Sequence, residues 1–254
     1  IKNDIKKDTV IITITPAYTI EKIQQIFGKK VKVARAMPNT PAMVGCGMSG
    51  LSYSDELSDK ERKEVLEFFK SFGDAVEVKE ELMGAVCAVS GSAPAFIYIL
   101  MEAMADAAVM EGMSRKDAYI FAAKTVEGSA KMVLETGKHP GELKDAVCSP
   151  GGTTIAGVAE LEENGFRGNI IKAMKKYELN KKYTGDLPMY FYFSYFLFLV
   201  FLLFPLFKSS AEHIAVTIID EASISAGPFA RAIPPNSTAA FTFKVSYILF
   251  AKNI

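Results

Sequence analysis

Between Ser58 and Gly165 the chain alternates helix-start and helix-stop signals so regularly that a succession of helices is the arrangement that satisfies them. Ser58-Asp59-Lys60-Glu61 is a capping box, in which a serine hydroxyl and a glutamate carboxylate each satisfy one backbone N–H at a helix start. Val65, Leu66, Phe68, Phe69 and Phe72 follow at helical spacing, and Gly73 stops the run. Pro94, at a first-turn position, opens a long Ala- and Met-rich helix that reaches Glu111 before Gly112. Ser114 caps another, which ends near Thr136 at Gly137. His139-Pro140 starts a short helix to about Val147, Thr154 to Asn164 forms the next, closed by Gly165, and a last one begins near Phe166. The small-residue surfaces at Met101–Met113 and Ala118–Met132 permit close helix approach, either inside one core or across a subunit interface.

The first fifty residues read differently. Thr9 to Ile14 is a β-branched run without alternation, the pattern of a strand buried on both faces of a parallel sheet. Ile20, Ile23, Ile26 and Phe27 share one helical face within Thr19–Phe27, which Gly28 ends, and Val31 to Ala36 is a second strand. Such a βαβ unit cannot bury both of its faces alone, so edges and faces of these strands are expected to lie uncovered. Val76 to Val78 could add a short strand.

Balanced charge, with 29 basic and 29 acidic residues, argues against a broad surface for nucleic acid. The three cysteines have no paired spacing and read as reduced thiols of a cytoplasmic protein. Two histidines are too few to build a zinc site with them, so no metal is expected. Past Met174 the closing helix degenerates, and Leu187–Phe207 carries no charge. Its length fits a membrane span, with lysines 172, 175, 176, 181 and 182 before it. A non-native extension is the preferred reading over a genuine anchor.

Cys148-Ser149-Pro150-Gly151-Gly152-Thr153-Thr154-Ile155 packs hydroxyls and glycines ahead of a helix, a composition suited to holding a small anion or to a plain capped helix start. Upstream stand Met37-Pro38-Asn39-Thr40-Pro41 and Ser90-Gly91-Ser92-Ala93-Pro94-Ala95, and Leu143-Lys144-Asp145 leads into the glycine turn. In this order and spacing the segments resemble the pyrroline-5-carboxylate reductase family, from about Ile5 to about Met174. The resemblance implies an α/β remnant of a Rossmann-like NAD(P)-binding domain over residues 1–50. An all-α substrate-binding and dimerisation domain over 51–180 would follow, and then a non-family tail over 181–254, irregular with a possible hydrophobic helix over 187–207.

It also implies reduction of Δ1-pyrroline-5-carboxylate to L-proline with NADPH or NADH, by a homodimer or larger homo-oligomer. A non-enzymatic helical oligomerisation module, free or membrane-tethered, is the competing reading. In the reductase reading Thr154 hydrogen-bonds the ring nitrogen. Ser149, Gly151, Gly152 and Thr153 hold the substrate carboxylate, and Glu80 lies near the substrate unless it is simply solvated. Asn39, Pro38, Ser90, Gly91 and Ala17 would face the cofactor, Asn39 alternatively forming an Asx turn. Two departures stand out. The turn after the first strand reads Thr13-Ile14-Thr15-Pro16-Ala17 where the family has a glycine, and no G-x-G-x-x-G turn is present, so the chain is expected to be a fragment that binds no dinucleotide.

Overall fold

The computed structural model describes residues 8–180 and the short strand Ile214–Ala215. The hydrophobic run at 187–207 and most of the 181–254 tail lie outside the described residues. The chain divides into two compact units, with the boundary between Gly91 and Ser92.

The first unit is a Rossmann-like α/β layer. Its sheet has the order β4-β3-β2-β1-β5, built from β1 (Val10–Thr13), β2 (Lys32–Met37), β3 (Gly47–Tyr53), β4 (Gly73–Glu77) and β5 (Ile214–Ala215). β1 runs parallel to β2, with Ile12 beside Ala34, and also parallel to β5; β3 is antiparallel to β2 and parallel to β4. The β1–β2 crossover is α1 (Ile20–Phe27), started by the Thr19 hydroxyl accepting from Lys22 N–H and ended by Gly28 in the left-handed conformation.

Alternation along β1 sends side chains to two separate cores. Ile11 joins Ile23 and Phe27 of α1. Val10, Ile12 and Ile14 join Leu51, Val65, Phe69 and Phe72, which come from β3 and from α2 (Asp59–Lys70) and its end. The expectation of uncovered faces and unpaired edges therefore fails: β2 is paired on both sides, and every residue of β1 is buried. The cover comes from α2, which the sequence reading assigned to the all-α region starting at residue 51. That boundary is displaced, because α2 is the second layer of the sheet and belongs to the first unit.

The missed strand, β3, carries two glycines and two serines, a composition depleted in strands. Its small residues are demanded by close approach. A Cβ on Gly50 would meet Val86 Cγ1 at 2.8 Å, and one on Gly47 would meet Ala42 Cβ at 2.8 Å. β4 begins earlier than expected, at Gly73, whose φ is 151° and where a Cβ would lie 2.1 Å from Gly47 O, so no side chain fits. The capping box of α2 forms as read, and Glu61 also pairs with Lys32 of β2 at 2.6 Å. Burial alone would raise the Glu61 pKa; the bonds from Lys32 and Ser58 outweigh it and hold the carboxyl below its ordinary range.

The second unit, Ser92–Leu179, is helical throughout. After a one-turn helix α3 (Met83–Val86) and a π-helical turn at Cys87–Ser92 in the first unit come α4 (Ala93–Met110), α5 (Arg115–Thr136), α6 (Pro140–Ala146), α7 (Thr153–Glu163) and α8 (Phe166–Asn180). Ser114 caps α5 as expected, and His139 Nδ1 accepts from Gly141 N–H to start α6. Among the described residues from Ser92 onward, the apolar ones fully buried are Ala105, Ala118 and Ala122. Met110 and Leu134 stay 86% and 80% exposed, and Ile99 and Phe121 more than half exposed. The stretch Glu80–Met110 is long and apolar enough to cross a membrane by length and composition alone.

Assignment of α2 to the sheet unit gives a direct prediction. Phe69→Ala removes a ring that is 1% exposed against Ile12 and Leu51, and should cost about 3–5 kcal/mol. In hydrogen exchange the loss should appear at β1 and β2 amides and leave α4 and α5 unchanged. Loss in α4 and α5 instead would restore the boundary near residue 51.

Candidate functional site

The turn at Ser149–Thr154 sits between α6 and α7. Gly152 N–H returns to Ser149 O at 3.0 Å, with Gly151 at φ 69° making the reversal. The first backbone bond of α7 is Ala156 N–H to Gly152 O at 3.4 Å, so the N–H groups of Thr153, Thr154 and Ile155 precede any intrahelical acceptor. Gly152 is the N-cap, without a side-chain cap; Thr153 and Thr154 are first-turn residues, and their hydroxyls do not cap the helix as anticipated. No acidic residue lies in the first turn, whereas α1, α2, α5 and α6 each have at least one. The partial positive charge of the α7 start is therefore not offset by its own side chains. Ser149 leans over it: a Cβ on Gly152 would meet Ser149 Oγ at 2.8 Å.

In the first unit the two proline-bearing motifs come together. Asn39 Nδ2 donates to Ser90 O at 3.3 Å and to Ser90 Oγ at 3.0 Å, and Asn39 Oδ1 accepts from Met48 N–H at 2.9 Å. Pro94 has no N–H to offer the carbonyl four residues earlier, that of Ser90, and Asn39 donates to this carbonyl from outside the helix. Asn39 precedes a 3₁₀ turn, Thr40–Val44, but makes no side-chain cap there, so the Asx-turn alternative is not the geometry found. Pro38 is half-buried beside it and Gly91 is exposed, one turn from Cys87. Ala17 is half-buried and packs against the α1-side core.

Glu80 is neither a free carboxylate nor a solvated one of a charge pair. Its Oε1 accepts from Ile20 N–H at 2.8 Å and from Arg35 Nη1 at 2.9 Å, while Arg35 Nη2 donates to Pro16 O at 2.6 Å. Arg35 was not singled out from the sequence, and as a buried arginine it needs a partner for its charge.

A dinucleotide needs a phosphate cradle, and the described residues do not fit one. Gly45-Cys46-Gly47-Met48-Ser49-Gly50 matches the letters G-x-G-x-x-G, correcting the statement that no such string exists. It runs into β3 with no helix behind it, and the space beside Gly47 and Gly50 is filled by Ala42, the Phe72 carbonyl and Val86. The helix start after β1 is taken by Glu80. Among the described residues no group of three His, Cys, Asp or Glu could hold a metal ion.

Losing Asn39 should expose this dependence. Asn39→Ala leaves Ser90 O and Met48 N–H unpaired, at about 1–3 kcal/mol. Made in a Pro94→Ala background, where residue 94 regains an N–H, it should cost measurably less in a double-mutant cycle of urea unfolding. Equal costs in both backgrounds would contradict the link to Pro94.

Residues 80–182 match the family model described as pyrroline-5-carboxylate reductase dimerisation. The pyrroline-5-carboxylate reductase of Escherichia coli K12 is 48% identical over 176 residues, covering 69% of this chain and 65% of the relative. That of Methanosarcina acetivorans is 45% identical over 185 residues, covering 73% of this chain and 68% of the relative. The chain thus spans about two thirds of the length of these relatives. Among solved structures, the Plasmodium falciparum pyrroline carboxylate reductase with NADP bound superposes with a TM-score of 0.65 at 32% identity, over 70% of this chain and 68% of that one. The enzyme from Coxiella burnetii gives 0.66 at 32% identity, over 69% and 65%. At these identities and lengths, the chain belongs to the pyrroline-5-carboxylate reductase family.

Proposed function

We propose that this chain serves the reduction of Δ1-pyrroline-5-carboxylate to L-proline, the last step of proline biosynthesis, by supplying the substrate side of the site and the dimerising helices. The observation that carries the reading is the α7 start, an uncapped helix N-terminus with two threonines, a serine leaning over it and no carboxylate of its own. The substrate has two groups to recognise, a carboxylate and a ring nitrogen. Ser149 with the Thr153 N–H suits the carboxylate, since N–H dipoles at a helix start favour an anion there; the Gly152 N–H, expected from the sequence to join them, is given to Ser149 O. Thr154, one residue on, is assigned the hydrogen bond to the ring nitrogen. Much of the rate in such a reaction comes from holding the reacting carbons in contact, so no strong acid is required of the protein.

The redox partner in this reading is a nicotinamide cofactor, NADPH or NADH, for whose phosphates the described residues offer no seat. Asn39, Pro38, Ser90, Gly91 and Ala17 remain candidates for its other end. The partner of the helical unit is proposed to be a second copy of the chain, because helices with so much exposed Ile, Leu, Met and Phe require cover. Reduced cysteines, none of them in a disulfide, accord with a cytoplasmic enzyme.

Titration of the full chain tests both halves of the proposal. L-Proline should shift the Thr153 amide resonance, and Thr154→Val should weaken its binding by up to about tenfold while leaving that shift in place. NADPH should show no saturable binding in the micromolar range. Absence of any proline-induced change at the α7 start would remove the assigned site. Saturable NADPH binding would show that a phosphate seat exists elsewhere on the chain.

A further inference from the structure

The contact between Arg35 and Glu80 is built like a ligand site rather than like a surface ion pair. The Arg35 side chain is only 8% exposed, and its Nε is buried without a hydrogen-bond partner. It stands on β2 beside Ser52 of β3, and Ser52 is itself buried and already spends its hydroxyl on Val78 O at 2.6 Å. Arg35 shares its target with the start of α1: Ile20, the first residue of that helix, points its N–H at the same oxygen, Glu80 Oε1. A guanidinium and a helix N-terminus aimed at one point form an anion site. Glu80 fills it from a segment sixty residues further along the chain, and its side chain remains 31% exposed on the outer side. A cavity of about 480 Å³ lined by Ile20, Ser52, Lys79 and Glu80 adjoins that side.

We propose that Arg35 and the α1 N-terminus form a carboxylate-binding site whose resident ligand is Glu80, and that occupation of this site sets the turn between β1 and α1. The second half follows from the other arm of Arg35. Its Nη2 holds Pro16 O at 2.6 Å, so the guanidinium is fixed between the anion and the turn. Pro16 cannot donate a backbone bond of its own, and the turn's local backbone link is Tyr18 N–H to Thr15 O at 3.3 Å. An anion lost from the site therefore frees Arg35 and, through it, the turn. Glu80 is thereby a positioning residue, and the site takes any small planar carboxylate once Glu80 is removed. The proposal stands on this geometry and does not require the reductase reading; only the service of the turn to a cofactor would fall with it.

The test is carboxylate rescue in the full chain, followed by amide exchange. In Glu80→Ala, exchange at Tyr18 and Ile20 should rise by about tenfold or more, the scale of one lost charge-assisted hydrogen bond, while Ile12 and Ala34 stay protected. Sodium formate at about 0.1 M should restore protection along a saturable curve, as mass action demands of a specific site, and chloride at equal ionic strength should not. In Arg35→Met/Glu80→Ala formate should have no effect. Should Glu80→Ala fail to fold, Glu80→Gln, which retains an acceptor oxygen but not the charge, should show a smaller rise in exchange that formate leaves unaltered. Protection unchanged in Glu80→Ala, equal action of formate and chloride, or formate rescue without Arg35 would each overturn the proposal.

Discussion

The constraint on which this molecule depends is an unfinished hydrophobic core. From α4 to α8 the described helices bury three alanines and little else, while long apolar side chains face outward along α4 and α5. A hundred or so residues cannot offset their chain entropy on that basis. The region matches a dimerisation model from residue 80 onward, and the surface left open on one copy is of the kind that a second copy covers. The α6–α7 turn lies on the same unit, so any anion site at Ser149–Thr154 rests on helices whose own stability depends on that cover.

The α/β unit meets the opposite demand. Its central strand, β1, sends residues into two cores and is covered on both faces by helices of the same unit, α1 and α2. Among the described residues, the buried charged side chain of this layer is Arg35, and Glu80 balances its charge. Taking a guanidinium out of water is costly unless its partners are close, and the 2.9 Å and 2.6 Å contacts meet that condition. The order in the unit thus comes from apolar burial, while Arg35, held by Glu80, also binds the turn through Pro16 O.

Much of this was legible in the residues. Helix boundaries after Ser92 follow caps and glycines to within a residue or two, because local backbone bonding decides them: Ser114, Gly137 and His139 act where their chemistry says they should. β3 was not legible. Glycine and serine are there because Val86, Ala42 and Gly73 approach closely, which is a fact of tertiary packing without periodic trace. The membership of α2 was hidden for a related reason, since an amphipathic helix declares that it has an apolar face and not what that face will cover. At the site, Ser149–Thr154 was readable as a glycine turn into a helix. The partners of Glu80 were not legible, because Ile20 and Arg35 lie 60 and 45 positions away. Asn39 and Ser90 were each singled out, but not their bond to one another, which joins residues 51 positions apart.

The central claim, that the helical unit is completed by a second copy of the chain, is tested most directly by the mass of the purified protein in solution. Sedimentation equilibrium across a dilution series should give twice the 27.7 kDa of the chain, or a higher multiple, and dissociation on dilution should be accompanied by loss of helical circular dichroism. A stable 27.7 kDa monomer with its full helical signal at every concentration would contradict the account.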